Sequence, residues 1–126
     1  MLATRNRMRF SADFSHTVRS GVRNGRRNLV LYVAPAVPGE PTRIGFIVAK
    51  TVGNAVARNL VKRRLREAAL TTLHEHPNGL TIVVRALPAA AGATWQELVK
   101  DFNGASDKAL SRLAAADAAA TEKERD

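Results

Sequence analysis

The chain of 126 residues contains no cysteine. That absence removes disulfides, thiolate metal ligands and cysteine nucleophiles, and it fits a reducing compartment. No apolar run approaches the ~20 residues that cross a bilayer. No apolar segment follows the basic N-terminus, so no secretory signal is expected and the cytoplasm is the expected location. Acids are scarce in the first half: residues 1–66 hold only Asp13 and Glu40 against 14 Lys and Arg, a balance of +12. Residues 67–126 hold nine acids against six bases, a balance of −3. His16, His74 and His76 lack metal-ligand spacing with supporting acids. There is no Gly-rich phosphate loop, no Ser-His-Asp arrangement and no carboxylate pair in the basic half. A nuclease acting by itself through bound metal is therefore disfavoured, and the residues point to a binding module.

What the chain does have is positive charge, a net +9 overall. Concentrated in one half, that charge predicts a surface built for a polyanion rather than a general solubility device. Nucleic acid fits better than a membrane, because no basic stretch carries a broad, bulky apolar face.

The size and the 45% hydrophobic content allow one domain with a modest core. Residues 1–9 read as a basic arm, 10–113 as the folded core, and 114–126 as an Ala-rich, then charged tail, frayed or disordered. Ser11 is positioned to cap a helix over 12–20 that stops at Gly21. Phe10, Phe14 and Val18 share one face of it, which predicts core packing. Residues 28–34, 42–50 and 80–87 read as strands. Both faces of 42–50 are largely apolar, which predicts a central strand. Asn54 is the expected N-cap of a helix over 55–74, and Pro77 with Gly79 ends it. Thr94 and Glu97 form a capping box ahead of a helix over 95–114, whose middle Gly104 weakens.

The helix over 55–74 carries the charge. Arg58, Lys62, Arg63, Arg64 and Arg66 put five cations into nine positions. On a 100° wheel Ala57, Val61, Leu65, Ala68 and Thr72 share a docking face. Arg58, Asn59, Lys62, Arg63 and Arg66 share the adjacent one. Arg58, Lys62 and Arg66 stand one turn apart, and like charges at that spacing cost roughly 0.2–0.5 kcal/mol per pair. A solvated face is the bland explanation. The lack of acid partners argues instead for an anion supplied from outside, gripped by Arg forks and the Lys point charge.

The stretch "IGFIVAKTVGNAVARNLVKRRLREA", Ile44 to Ala68, resembles the signature of the bacterial ribonuclease P protein component, in which a strand runs into K-x-x-G-x-A-V-x-R-N-x-x-K-R-x-x-R-E. The opening "RNRMRFSADF", the strand "LVLYV" and "LTIVVRALPAA" match the same family in order, so the resemblance spans roughly residues 5–113. It implies an α/β fold, an αβββαβα two-layer sandwich like the second domain of ribosomal protein S5, with a left-handed βαβ crossover and a short strand within 21–27. It implies that the protein is the accessory subunit of a ribonucleoprotein endonuclease. The RNA subunit would hold catalytic Mg²⁺ and remove the 5′ leader of precursor tRNA. The implied partners are the ribonuclease P RNA and precursor tRNA, with no membrane and no obligate protein partner. By motif position, Arg58, Asn59, Lys62, Arg63 and Arg66 would meet the catalytic RNA. Phe14, Tyr32, Phe46 and Lys50 would line a leader cleft between the first helix and the sheet. Two departures stand out. Leu60 replaces the second cation of the family's R-N-R triplet, with Arg64 the nearest substitute, and Val18 replaces a second aromatic one turn after Phe14. A ribosomal or ribosome-assembly protein of related fold is the alternative reading.

Overall fold

The computed structural model describes residues 2–125, and the side chains of residues 2–120. In chain order the elements are α1 (Ser11–Ser20), β1 (Val22–Gly25), β2 (Leu29–Pro35), β3 (Arg43–Ile47), α2 (Ala55–Glu75), β4 (Leu80–Ala86) and α3 (Trp95–Arg125). This is the expected αβββαβα order. The sheet runs β1-β2-β4-β3, antiparallel except for the parallel β3–β4 pair that α2 connects. Among the described residues no helix is long and apolar enough to cross a membrane.

Alternation along the strands sorts the side chains into two cores. Leu29, Leu31, Val33, Ile44, Ile82 and Val84 face α2 and α3, where they meet Val61, Leu65, Leu98 and Phe102. Val30, Tyr32 and Val83 face the other way, toward Phe14 and Val18 of α1. Sheet and α2–α3 pair make two layers, and α1 crosses the sheet's free face. Its buried Thr17 hydroxyl donates to the Asp13 carbonyl at 2.8 Å and lies 3.0 Å from the Thr81 hydroxyl on β4.

Four expectations need correcting. Residues 42–50 do not form a central strand: β3 lies at the edge of the sheet. Its two apolar faces are both covered, and its open edge is masked by the N-terminal arm. Met8 N–H donates to the Ile44 carbonyl at 3.0 Å, and Asn6 Nδ2 donates to the Thr42 carbonyl at 2.8 Å. Ser11 does not cap α1, because the N-cap is Phe10, which offers no side-chain bond and is 69% exposed rather than packed in the core. Finally, α3 runs on as helix to Arg125, well past 114, with residues 114–120 exposed. Ala-rich sequence favours continued helix because alanine has the highest helix propensity. Asp126 lies outside the described residues.

The caps of α2 and α3 follow expectation. Asn54 Oδ1 accepts from Ala57 N–H at 2.9 Å. Thr94 N–H donates to Glu97 Oε1 at 2.9 Å, and Glu97 N–H donates to Thr94 Oγ1 at 3.1 Å. The bond from the Thr94 backbone, helped by the Thr94 side chain, holds the Glu97 carboxyl below its ordinary pKa. A depressed carboxyl stabilises the fold above its unfolded pKa, and that contribution fades as pH falls through the folded value. Thr94→Ala is expected to raise the Glu97 pKa part of the way back, since the backbone donor remains. An NMR titration of Glu97 in both proteins checks this; an unmoved midpoint would contradict the hydroxyl's share. Gly104, mid-helix, has a packing reason: its carbonyl accepts from Arg26 Nη2 at 2.9 Å, and a Cβ there would press on that guanidinium at 3.2 Å.

Candidate RNA-binding surfaces

The α2 surface is built as the wheel predicts. Val61, Leu65, Ala68, Ala69, Thr72 and Leu73 are buried against the sheet and α3. That contact fixes the rotation of the helix and turns Asn59, Arg63 and Arg66 outward, with Arg58 and Lys62 half-buried beside them. Among the described residues none of these side chains is paired with an acid; the one ion pair near the basic arm is Arg43 with Glu40 at 2.9 Å. Arg58 Nε is shielded from solvent and has no hydrogen-bond partner in the protein. A shielded donor without an acceptor is costly, and an incoming phosphate would supply one.

Arg64, the nearest substitute for the missing cation at 60, is engaged within the fold. Its Nη1 donates to the Ala93 carbonyl at 3.1 Å, so it ties α2 to the segment ahead of α3. Leu60 is 40% exposed and Val56, one turn earlier, is 78% exposed, so the flank of the cationic face is apolar. Arg7, which the helix wheel could not include, joins the surface from the arm. With Lys62, Arg66 and Phe46 it borders a small groove at the edge of β3.

The cleft on the α1 face differs from expectation. Phe14, Val18, Ile47, Arg19 and Arg85 line a groove of about 550 Å³. Phe14 is where it was expected. Tyr32 is on the correct face but only 7% exposed, packed beneath Phe14, Val18 and Ile47 and not itself lining the groove. Phe46 is not in this groove. The register pairs Phe46 with Val84 and Gly45 with Val83, so Phe46 turns to the α2–α3 side and packs on the main core, opposite to Tyr32. Lys50 is exposed in the turn Lys50–Val52 beyond the end of β3 and does not line the groove.

Arg85 is the residue the sequence reading missed. Val30 pairs with Arg85 and Tyr32 with Val83, which places Arg85 diagonally across from Tyr32 on one face. Its guanidinium carbon sits 6.0 Å from the Tyr32 ring centroid, at the outer range of a cation–π contact. The signal was available: Arg85 is the lone charge inside the apolar strand "LTIVVRAL". The groove thus has an apolar lining with one aromatic ring, Phe14, and two cations, Arg19 and Arg85, which suits an unpaired, negatively charged strand.

Comparison with known proteins decides which binding family this is. The ribonuclease P family model matches residues 2–110. The chain belongs to the ribonuclease P protein family. It is 68% identical over 114 residues to the ribonuclease P protein component of Pseudarthrobacter chlorophenolicus, covering 90% of this chain and 84% of that one. It is 57% identical over 114 residues to that of Kocuria rhizophila, covering 90% and 100%. The fold matches the Staphylococcus aureus RNase P protein with a TM-score of 0.74 at 28% identity, over 82% of this chain and 94% of that one. The RNase P protein of Thermotoga maritima, at 22% identity and a TM-score of 0.69 over 78% and 94%, shares the fold. That family belongs to tRNA processing, and it implies a ribonuclease P RNA as partner. The ribosomal alternative has no support among these relatives.

Proposed function

We propose that the cationic face of α2 binds the ribonuclease P RNA, and that the groove between α1 and the sheet receives the single-stranded 5′ leader of precursor tRNA. The protein is then an accessory subunit and the RNA carries out the cleavage. One observation carries the first half: Arg58, Asn59, Lys62, Arg63 and Arg66 form one surface that no acid of the described chain neutralises. The groove lined by Phe14, Val18, Ile47 and Arg85 carries the second. Phe46 borders instead the smaller groove at the edge of β3 that Phe14 shares with Lys62 and Arg66, and Lys50 lies beyond the end of β3.

The residues do not fit a protein-held Mg²⁺. Among the described residues no group of three His, Asp or Glu side chains could hold a metal ion, and the α2 surface offers guanidinium and ammonium groups, which repel cations. Mg²⁺ would therefore be held by the RNA, and screening of RNA by α2 is what the protein contributes. We place this work in the cytoplasm, whose reducing conditions suit a chain without cysteine.

The test is reconstitution. The full chain added to a bacterial ribonuclease P RNA should raise correct 5′ cleavage of precursor tRNA at low Mg²⁺. No gain would defeat the proposal. Arg85→Ala should weaken holoenzyme binding of precursor tRNA roughly threefold to tenfold, the worth of one exposed cation contact, and leave mature tRNA unaffected. An equal loss on both RNAs would remove Arg85 from the leader site.

A further inference from the structure

A further groove lies along the N-terminal arm. It has a volume of about 710 Å³ and is lined by Arg5, Arg7, Arg9 and Phe10 of the arm and by Arg43 of β3, with Asp13 and Glu40 at its margin. Glu40 is already paired with Arg43. Arg5, Arg7 and Arg9 are exposed, and among the described residues their side chains have no hydrogen-bond or ion-pair partner. The cations therefore outnumber the acids four to two in this groove.

Phe10 is the anomaly. It stands at the N-cap of α1, a position that favours Ser, Asn, Asp or Thr, and it makes no capping bond. It is also 69% exposed, so it adds little to either core. A residue that is locally unfavourable in two ways, with no packing gain, marks a functional position. The arm that carries it is not loose. Leu2 is buried in the main core and Met8 in the second one, while Asn6 and Met8 are hydrogen-bonded to β3. The backbone that carries Phe10 and the three arginines is therefore held in place before any ligand arrives.

We infer that this groove is a separate subsite for an unpaired nucleotide, with its base stacked on Phe10 and its phosphates on Arg7 and Arg9. An aromatic face takes any base, and flanking guanidinium groups follow the backbone. Arg7 also borders the groove shared with Lys62 and Arg66, so one strand can pass from α2 over the arm to Phe10. That continuity assigns the nucleotide to the RNA that α2 binds, the ribonuclease P RNA, and the assignment rests on the α2 reading proposed above.

The experiment measures affinity of the full chain for ribonuclease P RNA alone, without tRNA, across several salt concentrations. Phe10→Ala should bind about tenfold more weakly with an unchanged salt slope, because a stack and not a counterion is lost. Phe10→Tyr should restore affinity and Phe10→Leu should not. Arg7→Ala with Arg9→Ala should instead flatten the slope by roughly one to two. Wild-type affinity in Phe10→Ala, or full rescue by Phe10→Leu, would overturn the subsite. A loss seen only once precursor tRNA is added to the holoenzyme would also overturn it, by placing the nucleotide in the substrate. Arg58→Ala with Arg66→Ala serves as the control. If that pair leaves RNA binding intact, the α2 reading fails on its own, whatever Phe10 does.

Discussion

Arg58→Ala combined with Arg66→Ala is expected to weaken binding to ribonuclease P RNA about 100-fold without destabilising the protein. Each arginine on a phosphate makes a charge-assisted contact worth about 1.5 kcal/mol or more, and two such losses approach that factor. The slope of log affinity against log salt should fall by roughly 1.5 to 2, since two fewer counterions are released. Stability should move the other way. Both side chains flank Lys62 at one-turn spacing, so the double change removes two repulsive pairs and adds two strong helix formers. Urea unfolding should show an equal or higher midpoint. Weaker binding with an unchanged salt slope would show that these residues do not contact phosphate. A lower midpoint would show that they hold the fold together.

Gly45→Ala is expected to reach the groove between α1 and the sheet, the proposed leader site, through packing alone. The Phe14 ring occupies the place where a Cβ on residue 45 would stand, and Met8 Cβ closes the other side at 3.2 Å. An added methyl must push Phe14 off the sheet, an overpacking change that costs roughly 1–3 kcal/mol. The groove would lose its wall, and the preference for precursor over mature tRNA should fall with it. A double-mutant cycle separates this from a general backbone effect. In a Phe14→Ala background the ring is absent, so Gly45→Ala should cost well under half of what it costs in the natural protein. Equal costs in both backgrounds would show that Phe14 is not what Gly45 accommodates.

The α2 surface was legible in the sequence in detail because a helix is a local object. Its period sets which of Arg58, Val61, Lys62, Leu65 and Arg66 point together, whatever surrounds them. The capping box at Thr94 and Glu97 and the cap at Asn54 were legible for the same reason. The groove between α1 and the sheet was legible only in part. Alternation put Phe46 opposite Gly45 and Ile47, but alternation alone does not say which face of a neighbouring strand is the same face. That needs the register pairing Phe46 with Val84 and Tyr32 with Val83, which joins residues far apart in the chain. Arg85 was invisible as a partner of Tyr32 until the β2–β4 pairing set the two diagonally.

The chain alone determined the family, the charge division between its halves and the cationic face of α2, all of which follow from residue identity and helical period. Only the tertiary structure decided that β3 is an edge strand sealed by the arm, that Arg64 bonds the Ala93 carbonyl, that Tyr32 lies under Arg85, and that Phe10 stands exposed among arginines. Each depends on which distant segment comes to rest beside a residue. Burial and pairing are properties of such neighbours, and local sequence does not specify them.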